Sequence, residues 1–268
     1  MKRLLAAMMI ACILIGGSVG QALADSKEFK LGVLYSLTGA FAPAGALAGY
    51  QGTMVAIDMI NARGGIAGQY KVAPVVADAQ SNPDIAIREG QRLMTVENVP
   101  VVLGVFSSGI AVPLAPMAEQ HKKIFWVVIA ISDKVLQDRH LNYTFRVQPM
   151  GSQWGTSTVS LLKENLSKFD AKTPADMRVA VIYEDGPYGA SVAAANVSKA
   201  KELGMSLVME EAYSHKTNDL SSLILKLKSA KPDAILHTGY FPDVVLFFRQ
   251  ARELGLKTKA IEGHGAGH

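Results

Sequence analysis

Hydrophobic positions occur in two patterns along the chain. Short apolar segments have the length of buried strands, and between them lie longer segments in which apolar residues recur every three or four positions, as in amphipathic helices. In the first half the pattern predicts strands at 29–36, 72–77, 99–105, 124–129 and 143–147, and helices at 47–62, from Pro83 through Val96, and through Met117.

The same alternation restarts after Gln148-Pro149. It predicts helices at 153–166, 188–203, 220–229 and 244–254, and strands at 179–183, 207–212 and 234–238. Strands that alternate with helices form parallel sheets covered on both faces. The predicted fold class is therefore α/β, with two Rossmann-like lobes at 25–147 and 148–268 that are joined near 147–151 and have a cleft between them.

The first 24 residues have the organisation of a secretory signal peptide. A basic start at Lys2 and Arg3 precedes the apolar stretch LLAAMMIACILI, and Ala22-Leu23-Ala24 forms an A-x-A cleavage site before Asp25. The apolar core is shorter than the ~20 residues that a membrane span needs. We expect a secreted protein whose mature chain begins at Asp25. Cys12 would leave with the signal, so no disulfide is expected to stabilise the fold.

Composition and motifs exclude several classes of function. With Lys2 and Arg3 removed, 25 basic side chains remain against 23 acidic ones, a net charge of +2 without basic runs, which argues against nucleic-acid binding. The sequence contains no G-x-S-x-G elbow, no phosphate-binding P-loop, no H-E-x-x-H and no cysteine after residue 24. We therefore predict no enzyme, no cofactor and no metal.

Hydroxyl side chains follow two predicted strands of the first lobe. Ser107 and Ser108 come after the strand at 99–105, and Ser132 comes after the next strand along the chain. Ligands of parallel α/β lobes lie beyond the carboxyl ends of the strands, where helix N-termini present free N–H groups, so these serines could bind a carboxylate. The alternative is that they cap the helices that follow. Asp133 is expected to cap the next short helix rather than to belong to a catalytic triad.

In the second lobe, aromatic residues follow the predicted strands, as the serines do in the first lobe. Tyr188 and Tyr240 follow predicted strands and could cover the apolar part of a ligand, or could simply pack at the start of a helix. The stretch AIEGHGAGH contains Glu262, His264 and His268, a conceivable metal cluster. Three glycines lie between these residues, which favours a mobile loop instead.

Several stretches together resemble one known family. These are LTGAFAPAGALAGYQGTMVAIDMINARGGIAG, GVFSSGIAVPLAPMAEQ, VIYEDGPYGAS and DLSSLILKLKSAKPDAILHTGYFPDVVLFFRQARELGLK. They are similar to the periplasmic leucine/isoleucine/valine-binding proteins, the type I solute-binding proteins of ABC transporters. The resemblance, which runs from about Phe29 to the end, implies that two hinged α/β lobes close over a small ligand and deliver it to a membrane permease.

The resemblance also implies a set of ligand-binding residues. Ser108 and Ser132 match the family's hydroxyl residues that bond the ligand's carboxylate, and the backbone carbonyl of Ala130 matches the group that meets its ammonium. Tyr188 and Tyr240 match aromatic positions that close over the ligand. Ser107 falls where some relatives have a structural cysteine, and we do not expect it to bind the ligand.

Two departures from the family pattern change the expected ligand. His264 stands where amino-acid binders carry the acidic partner of the ammonium, and Glu262 lies two residues away. Ala44 replaces an aromatic residue of leucine binders and leaves room for a ring near Phe41. These departures favour a carboxylate without an amine, such as an aromatic acid, over a branched-chain amino acid.

Family members continue past the point where this sequence stops. We therefore expect either a fragment of a longer product or a truncated reading frame, with an incomplete second lobe whose sheet keeps an exposed edge. The leading hypothesis is a monomeric solute-binding protein that partners an ABC permease. A ligand-binding sensor and a non-functional fragment are the alternatives.

Overall fold

The computed structural model describes residues 27–265, within which nine strands and seven α-helices form two sheets with their covering helices. The predicted signal peptide, Cys12 and His268 lie outside the described residues. No helix of the described part is long and apolar enough to cross a bilayer. The first lobe, 27–146, contains in chain order β1 (Lys27–Tyr35), α1 (Leu47–Ala62), β2 (Tyr70–Asp78), α2 (Pro83–Thr95), β3 (Val101–Gly104), α3 (Ser108–His121), β4 (Ile124–Val127) and β5 (Thr144–Arg146).

The sheet of the first lobe is parallel throughout, with strand order β2-β1-β3-β4-β5. Helices α2 and α3 cover one face, where Leu34, Leu93, Leu114 and Phe125 are fully buried. Helix α1 covers the β1–β2 part of the other face. Burial on both faces explains why the strands are continuously apolar in the sequence.

A side-chain cap and a proline define the start of α2. The Asn82 side chain accepts hydrogen bonds from the backbone N–H of Asp84 at 2.9 Å and of Ile85 at 3.2 Å. Pro83 takes the first helical position, where its fixed φ suits the helix and its missing N–H costs nothing. The helix therefore begins at Pro83, as the apolar periodicity predicts.

A tight turn between β3 and α3 brings Ser107 and Ser108 to the end of the sheet. Gly104 has a φ of +137°, and a Cβ there would lie 2.2 Å from the carbonyl oxygen of Leu34, so the position requires glycine. Val105 follows with a φ of 56°, which is rare for a β-branched residue, and its N–H bonds the same carbonyl at 2.9 Å. The turn is therefore held by the neighbouring strand β1.

The second lobe, 151–265, has its own parallel sheet with strand order β7-β6-β8-β9. Its core is divided between the two faces of the sheet, with Val181 and Leu236 on one face and Ile182 and Phe247 on the other. The elements in chain order are α4 (Gly151–Glu164), β6 (Arg178–Glu184), α5 (Pro187–Glu202), β7 (Ser206–Tyr213), α6 (Ser221–Ala230), β8 (Ala234–Gly239), α7 (Phe241–Glu253) and β9 (Ala260–Gly265).

The predicted glycine-rich loop near the end of the chain is wrong for Ala260–Gly265. These residues form β9, which pairs with β8 in parallel register and places His264 opposite Thr238. Glycine has a low strand propensity, so the local sequence does not predict a strand here. The strand forms because the backbone of β8 supplies hydrogen-bond partners. His264 is therefore held on a sheet.

Direct contacts join the two lobes. The backbone N–H of Gly151 donates to the carbonyl of Ile131 at 2.8 Å, and the N–H of Asp133 donates to the Ser191 hydroxyl at 2.9 Å. The N–H of Ser152 donates to the Asp133 carboxylate at 3.2 Å. The predicted α/β class with two groups of parallel strands is confirmed, and the lobes meet face to face at the carboxyl ends of their strands.

Candidate functional site

A cavity of about 190 Å³ lies between the two lobes. Each lobe contributes five lining residues, most of them apolar or aromatic, as is typical of small-molecule sites. The lining residues are Ala44, Phe106, Ser108, Ile129 and Ile131 from the first lobe, and Tyr188, Gly239, Tyr240, Phe241 and His264 from the second.

Ser108 is the polar group that the first lobe presents to this cavity. It is the first residue of α3, its exposed fraction is 1 %, and its Oγ accepts a hydrogen bond from the backbone N–H of Ser132 at 3.1 Å. Because the oxygen accepts that bond, the hydroxyl proton is available to a ligand oxygen in the cavity. The N-terminus of α3 adds the positive end of its helix dipole. This end of the cavity therefore suits a carboxylate.

The other two serines cap the elements that follow them. Ser107 Oγ accepts from the N–H of Gly109 at 3.2 Å, and Ser132 Oγ accepts from the N–H of Lys134 at 3.3 Å. The prediction that Asp133 caps the short helix is wrong, because Ser132 holds the cap position and Asp133 is the first residue of the turn. A hydroxyl directly before the turn reaches its N–H groups, whereas the Asp133 carboxylate turns to the second lobe.

Tyr188 and His264 form one polar group on the second-lobe side. The Tyr188 hydroxyl lies 2.9 Å from His264 Nδ1 and also donates to the backbone carbonyl of His264. The Trp154 ring packs on the imidazole with 4.7 Å between ring centroids. Burial raises the pKa of Tyr188 well above its usual value, so the phenol stays protonated. Tyr188 and His264 thus place a protonated phenol hydroxyl and an imidazole at this side of the cavity.

Tyr240 closes the cavity with an aromatic cluster that spans both lobes. Its hydroxyl lies 3.2 Å from Ser107 Oγ, a hydrogen bond between the second lobe and the first. Its ring packs at 4.7 Å from that of Phe41, 5.2 Å from Tyr188 and 5.8 Å from Phe106. Burial raises the pKa of Tyr240, which keeps its hydroxyl a donor. The lobes are in the arrangement expected when the cleft is closed.

Two buried carboxylates lie behind the cavity in the second lobe. Asp243, with an exposed fraction of 2 %, accepts from the Tyr213 hydroxyl at 2.5 Å and from the N–H of Tyr240, and burial raises its pKa to about 6. Glu184 accepts from the N–H of Gly186 at 2.8 Å and of Gly189 at 2.6 Å, and burial raises its pKa. Among the described lining residues none is acidic.

Five of the eight predicted ligand-binding residues line the cavity: Ala44, Ser108, Tyr188, Tyr240 and His264. Ser132 reaches it only through its bond to Ser108, Ala130 is buried without lining it, and Phe41 packs behind Tyr240 and Phe106. Their roles at a ligand stay predictions.

Five lining residues were not predicted from the sequence: Phe106, Ile129, Ile131, Gly239 and Phe241. Four of them are direct neighbours of a predicted residue, because Ile129 and Ile131 flank Ala130 and Gly239 and Phe241 flank Tyr240. Phe106 lies two positions before Ser108. The strand ends located the cavity correctly. The missing residues could have been found by including the positions next to each predicted residue.

Comparison with known proteins identifies the relatives of this chain. A family model described as periplasmic binding protein matches residues 28–267. The Leu/Ile/Val-binding protein homolog 7 of Brucella suis is 37 % identical over 268 residues, which cover 100 % of this chain and 65 % of that protein. Leu/Ile/Val-binding protein homolog 8 of Brucella abortus is 34 % identical over 267 residues, which cover 97 % of this chain and 65 % of that protein. The chain thus spans 65 % of the length of these curated relatives.

Solved structures show the same fold. A leucine-binding protein of Thermotoga maritima matches with a TM-score of 0.77 at 24 % identity, covering 87 % of this chain and 62 % of that one. A solute-binding protein of R. palustris, solved in complex with benzoate, matches with a TM-score of 0.77 at 18 % identity. The match covers 89 % of this chain and 62 % of that one. The fold, the interlobe cavity and the match over residues 28–267 lead to one conclusion: this chain belongs to the periplasmic binding protein family.

Proposed function

We propose that the protein is the solute-binding component of an ABC importer and captures a small carboxylate-bearing ligand between its lobes, 25–147 and 148–268, in the periplasm. It acts as a monomer, delivers the ligand to a permease in the inner membrane and carries out no chemistry on it. The observation that carries this proposal is the interlobe cavity, with Ser108 and a helix N-terminus at one end and apolar and aromatic side chains around the rest.

The carboxylate would bind at the first lobe. Ser108 donates its hydroxyl proton to one carboxylate oxygen, and the backbone N–H groups of the first turn of α3 stabilise the charge. Ser132 acts through its N–H, which fixes the Ser108 oxygen at 3.1 Å. Ligand binding shifts the open and closed lobes toward the closed arrangement by differential affinity.

The apolar part of the ligand would lie among Phe106, Ile131 and Tyr240. An amine-free acid fits this lining better than an amino acid does. The Ala130 carbonyl is the acceptor that the family resemblance assigns to an ammonium, and none of the lining residues in the described range carries a carboxylate. A cation without an anionic partner loses a charge-assisted hydrogen bond of roughly 1.5 to 3 kcal/mol.

The relatives are consistent with either class of acid. The curated ones are named for leucine, isoleucine and valine, whereas solved neighbours hold isoleucine, benzoate or hydroxybenzoates. Ala44 leaves space in the lining beside Phe106, which favours a ring. We therefore assign an aromatic carboxylate as the preferred ligand and a branched-chain amino acid as the alternative.

Titration calorimetry with benzoate tests the carboxylate site. Ser108→Ala removes the donor and should weaken binding by roughly 1 to 3 kcal/mol, about five-fold to more than a hundred-fold in Kd. Ser160→Ala, which deletes a hydroxyl on the exposed side of α4, is the matched control and should bind as the parent protein does. Equal affinities of the parent and Ser108→Ala would remove the assignment. Recovery of unaltered benzoate after incubation tests the absence of turnover.

A further inference from the structure

A second cluster of polar side chains lies in the second lobe, outside the lining of the interlobe cavity. Glu184 ends β6, Asp185 follows it, and His215 lies two residues beyond the end of β7. One potential ligand atom from each residue lies within 4.8 Å of those from the other two. Neighbouring parallel strands bring the three side chains together at their carboxyl ends.

The atoms that face one another in this cluster are electron-rich. His215 Nδ1 is buried, lies 3.8 Å from Glu184 Oε2 and has no hydrogen-bond partner among the described residues. That separation is too long for a hydrogen bond. Two carboxylate oxygens and this ring nitrogen thus lie within 4.8 Å of one another, and no hydrogen bond joins His215 Nδ1 to either carboxylate.

The Glu184 carboxylate is rigidly placed. Its side chain is 1 % exposed, and it accepts the N–H groups of Gly186 and Gly189 at the start of α5. Two N–H bonds leave lone pairs on a carboxylate that has about four acceptor sites. Asp185 is exposed, so the cluster opens to solvent on its side. The buried Glu184 carboxylate and the half-buried His215 imidazole, whose Nδ1 atom is shielded from solvent, thus form the inner wall, and the exposed Asp185 side chain lies at the entrance.

We propose that Glu184, Asp185 and His215 bind a divalent transition metal of the zinc type. Two carboxylate oxygens and one imidazole nitrogen are a donor set that zinc accepts, with water completing a tetrahedron. In a tetrahedral zinc site the donor atoms lie about 3.3 to 3.6 Å apart, given bond lengths of about 2.0 to 2.2 Å. The gap between His215 and Glu184 must therefore close by only a few tenths of an ångström, and the exposed Asp185 rotates to complete the set.

The cluster adjoins the contact between the lobes. The His215 ring lies 5.7 Å from the ring of Phe41 in the first lobe and 5.5 Å from that of Tyr240. A metal at Nδ1 fixes the imidazole against both rings and so favours the closed arrangement. The site itself does not depend on which solute the cavity takes, and metal binding and solute binding are measured separately.

Calorimetry with Zn²⁺ on the tag-free protein tests the proposal, with Mg²⁺ as the comparison ion. We expect one equivalent of Zn²⁺ to bind and Mg²⁺ not to compete, because an imidazole ligand favours zinc. Co²⁺ at the same site should give the visible absorption of a four-coordinate ion. Asp185→Asn keeps the shape of an exposed side chain and should weaken Zn²⁺ binding by about tenfold or more.

Replacing His215 provides a second test of the zinc site. His215→Phe keeps a ring against Phe41 and Tyr240 while removing the nitrogen, and should also weaken Zn²⁺ binding by about tenfold or more. The matched controls are Asp138→Asn and His140→Asn, exposed groups of the first lobe that should leave binding unchanged. Absence of Zn²⁺ binding, or equal affinity in the parent, Asp185→Asn and His215→Phe, would overturn the proposal. Should His215→Phe fail to fold, Asp185→Asn alone decides.

Discussion

Asp243 makes the stability of the second lobe depend on pH. The carboxylate is buried beneath Tyr240, where it accepts the Tyr213 hydroxyl at 2.5 Å and the backbone N–H of Tyr240 at 3.1 and 3.2 Å. Burial is the largest influence and raises its pKa from 3.8 to about 6, although these hydrogen bonds act in the opposite direction. The folded protein therefore holds a proton on this group more tightly than the unfolded chain does.

The sign and size of the effect follow from linkage. Between pH 3.8 and about 6 the folded state binds more protons than the unfolded state, so the free energy of unfolding falls as the pH rises through that window. The stabilisation is complete at pH values below the pKa of Asp243 in the unfolded chain, 3.8, and is lost at pH values above its pKa in the folded protein, about 6. A shift of this size corresponds to roughly 2 to 3 kcal/mol between pH 4 and pH 7.

The variant Asp243→Asn isolates this contribution. Asparagine keeps an oxygen for Tyr213 and for the N–H of Tyr240 but does not titrate. Urea unfolding of the parent protein and of Asp243→Asn at several pH values between 4 and 7 gives two curves of unfolding free energy. Other titrating groups, Glu184 among them, are present in both proteins, so their effects cancel to first order in the difference.

We expect the parent protein to lose roughly 2 to 3 kcal/mol relative to Asp243→Asn as the pH rises from 4 to 7. A difference that stays constant over this range would refute the reasoning, because it would mean that the buried carboxylate titrates as it does in the unfolded chain. A difference of opposite sign would mean that the hydrogen bonds from Tyr213 and Tyr240 outweigh burial.

Three further substitutions test other contacts. Tyr240→Phe removes the hydroxyl that bridges to Ser107 and should weaken ligand binding by about 0.5 to 1.5 kcal/mol, measured by calorimetry, while an unchanged Kd would mean that the bridge does not favour closure. His264→Glu supplies an anion and should favour leucine over its 2-oxo analogue by about tenfold or more, and an unaltered preference would show that this position does not face an amine. Gly104→Ala should lower the free energy of unfolding by about 1 to 3 kcal/mol, and an unperturbed urea midpoint would contradict the strained geometry.

The fold could be predicted from the sequence because its elements have strong periodic patterns. Buried parallel strands are continuously apolar, and the helices carry local start and stop signals such as Asn82-Pro83. Strand β9 was not predicted, since its glycines give a loop composition and its pairing with β8 involves residues about 26 positions away in the chain, as for His264 and Thr238. Pairing of this kind is a tertiary effect that overrides local propensity.

The candidate site was predictable in outline and not in detail. Polar and aromatic residues at strand ends located the cavity, because parallel strands direct their carboxyl ends to one edge. Which hydroxyl faces the cavity depended on the turn geometry at Gly104 and Val105, which turns Ser107 to the helix cap and Ser108 to the cavity. The buried network around Asp243 could not be predicted, since Asp243 lies in the first turn of α7 and its partner Tyr213 ends β7, 30 residues earlier in the chain.

The most direct test of the central claim is a thermal melt of the protein alone and with millimolar leucine, its 2-oxo analogue or benzoate. A ligand that binds only the folded state raises Tm, with about 2.7 kcal/mol of added stability at a hundred times its Kd. A larger rise in Tm with benzoate and the 2-oxo acid than with leucine is the predicted result. Unchanged Tm with all three compounds would contradict a carboxylate site between the lobes, and a larger rise with leucine would contradict the preference for an amine-free acid.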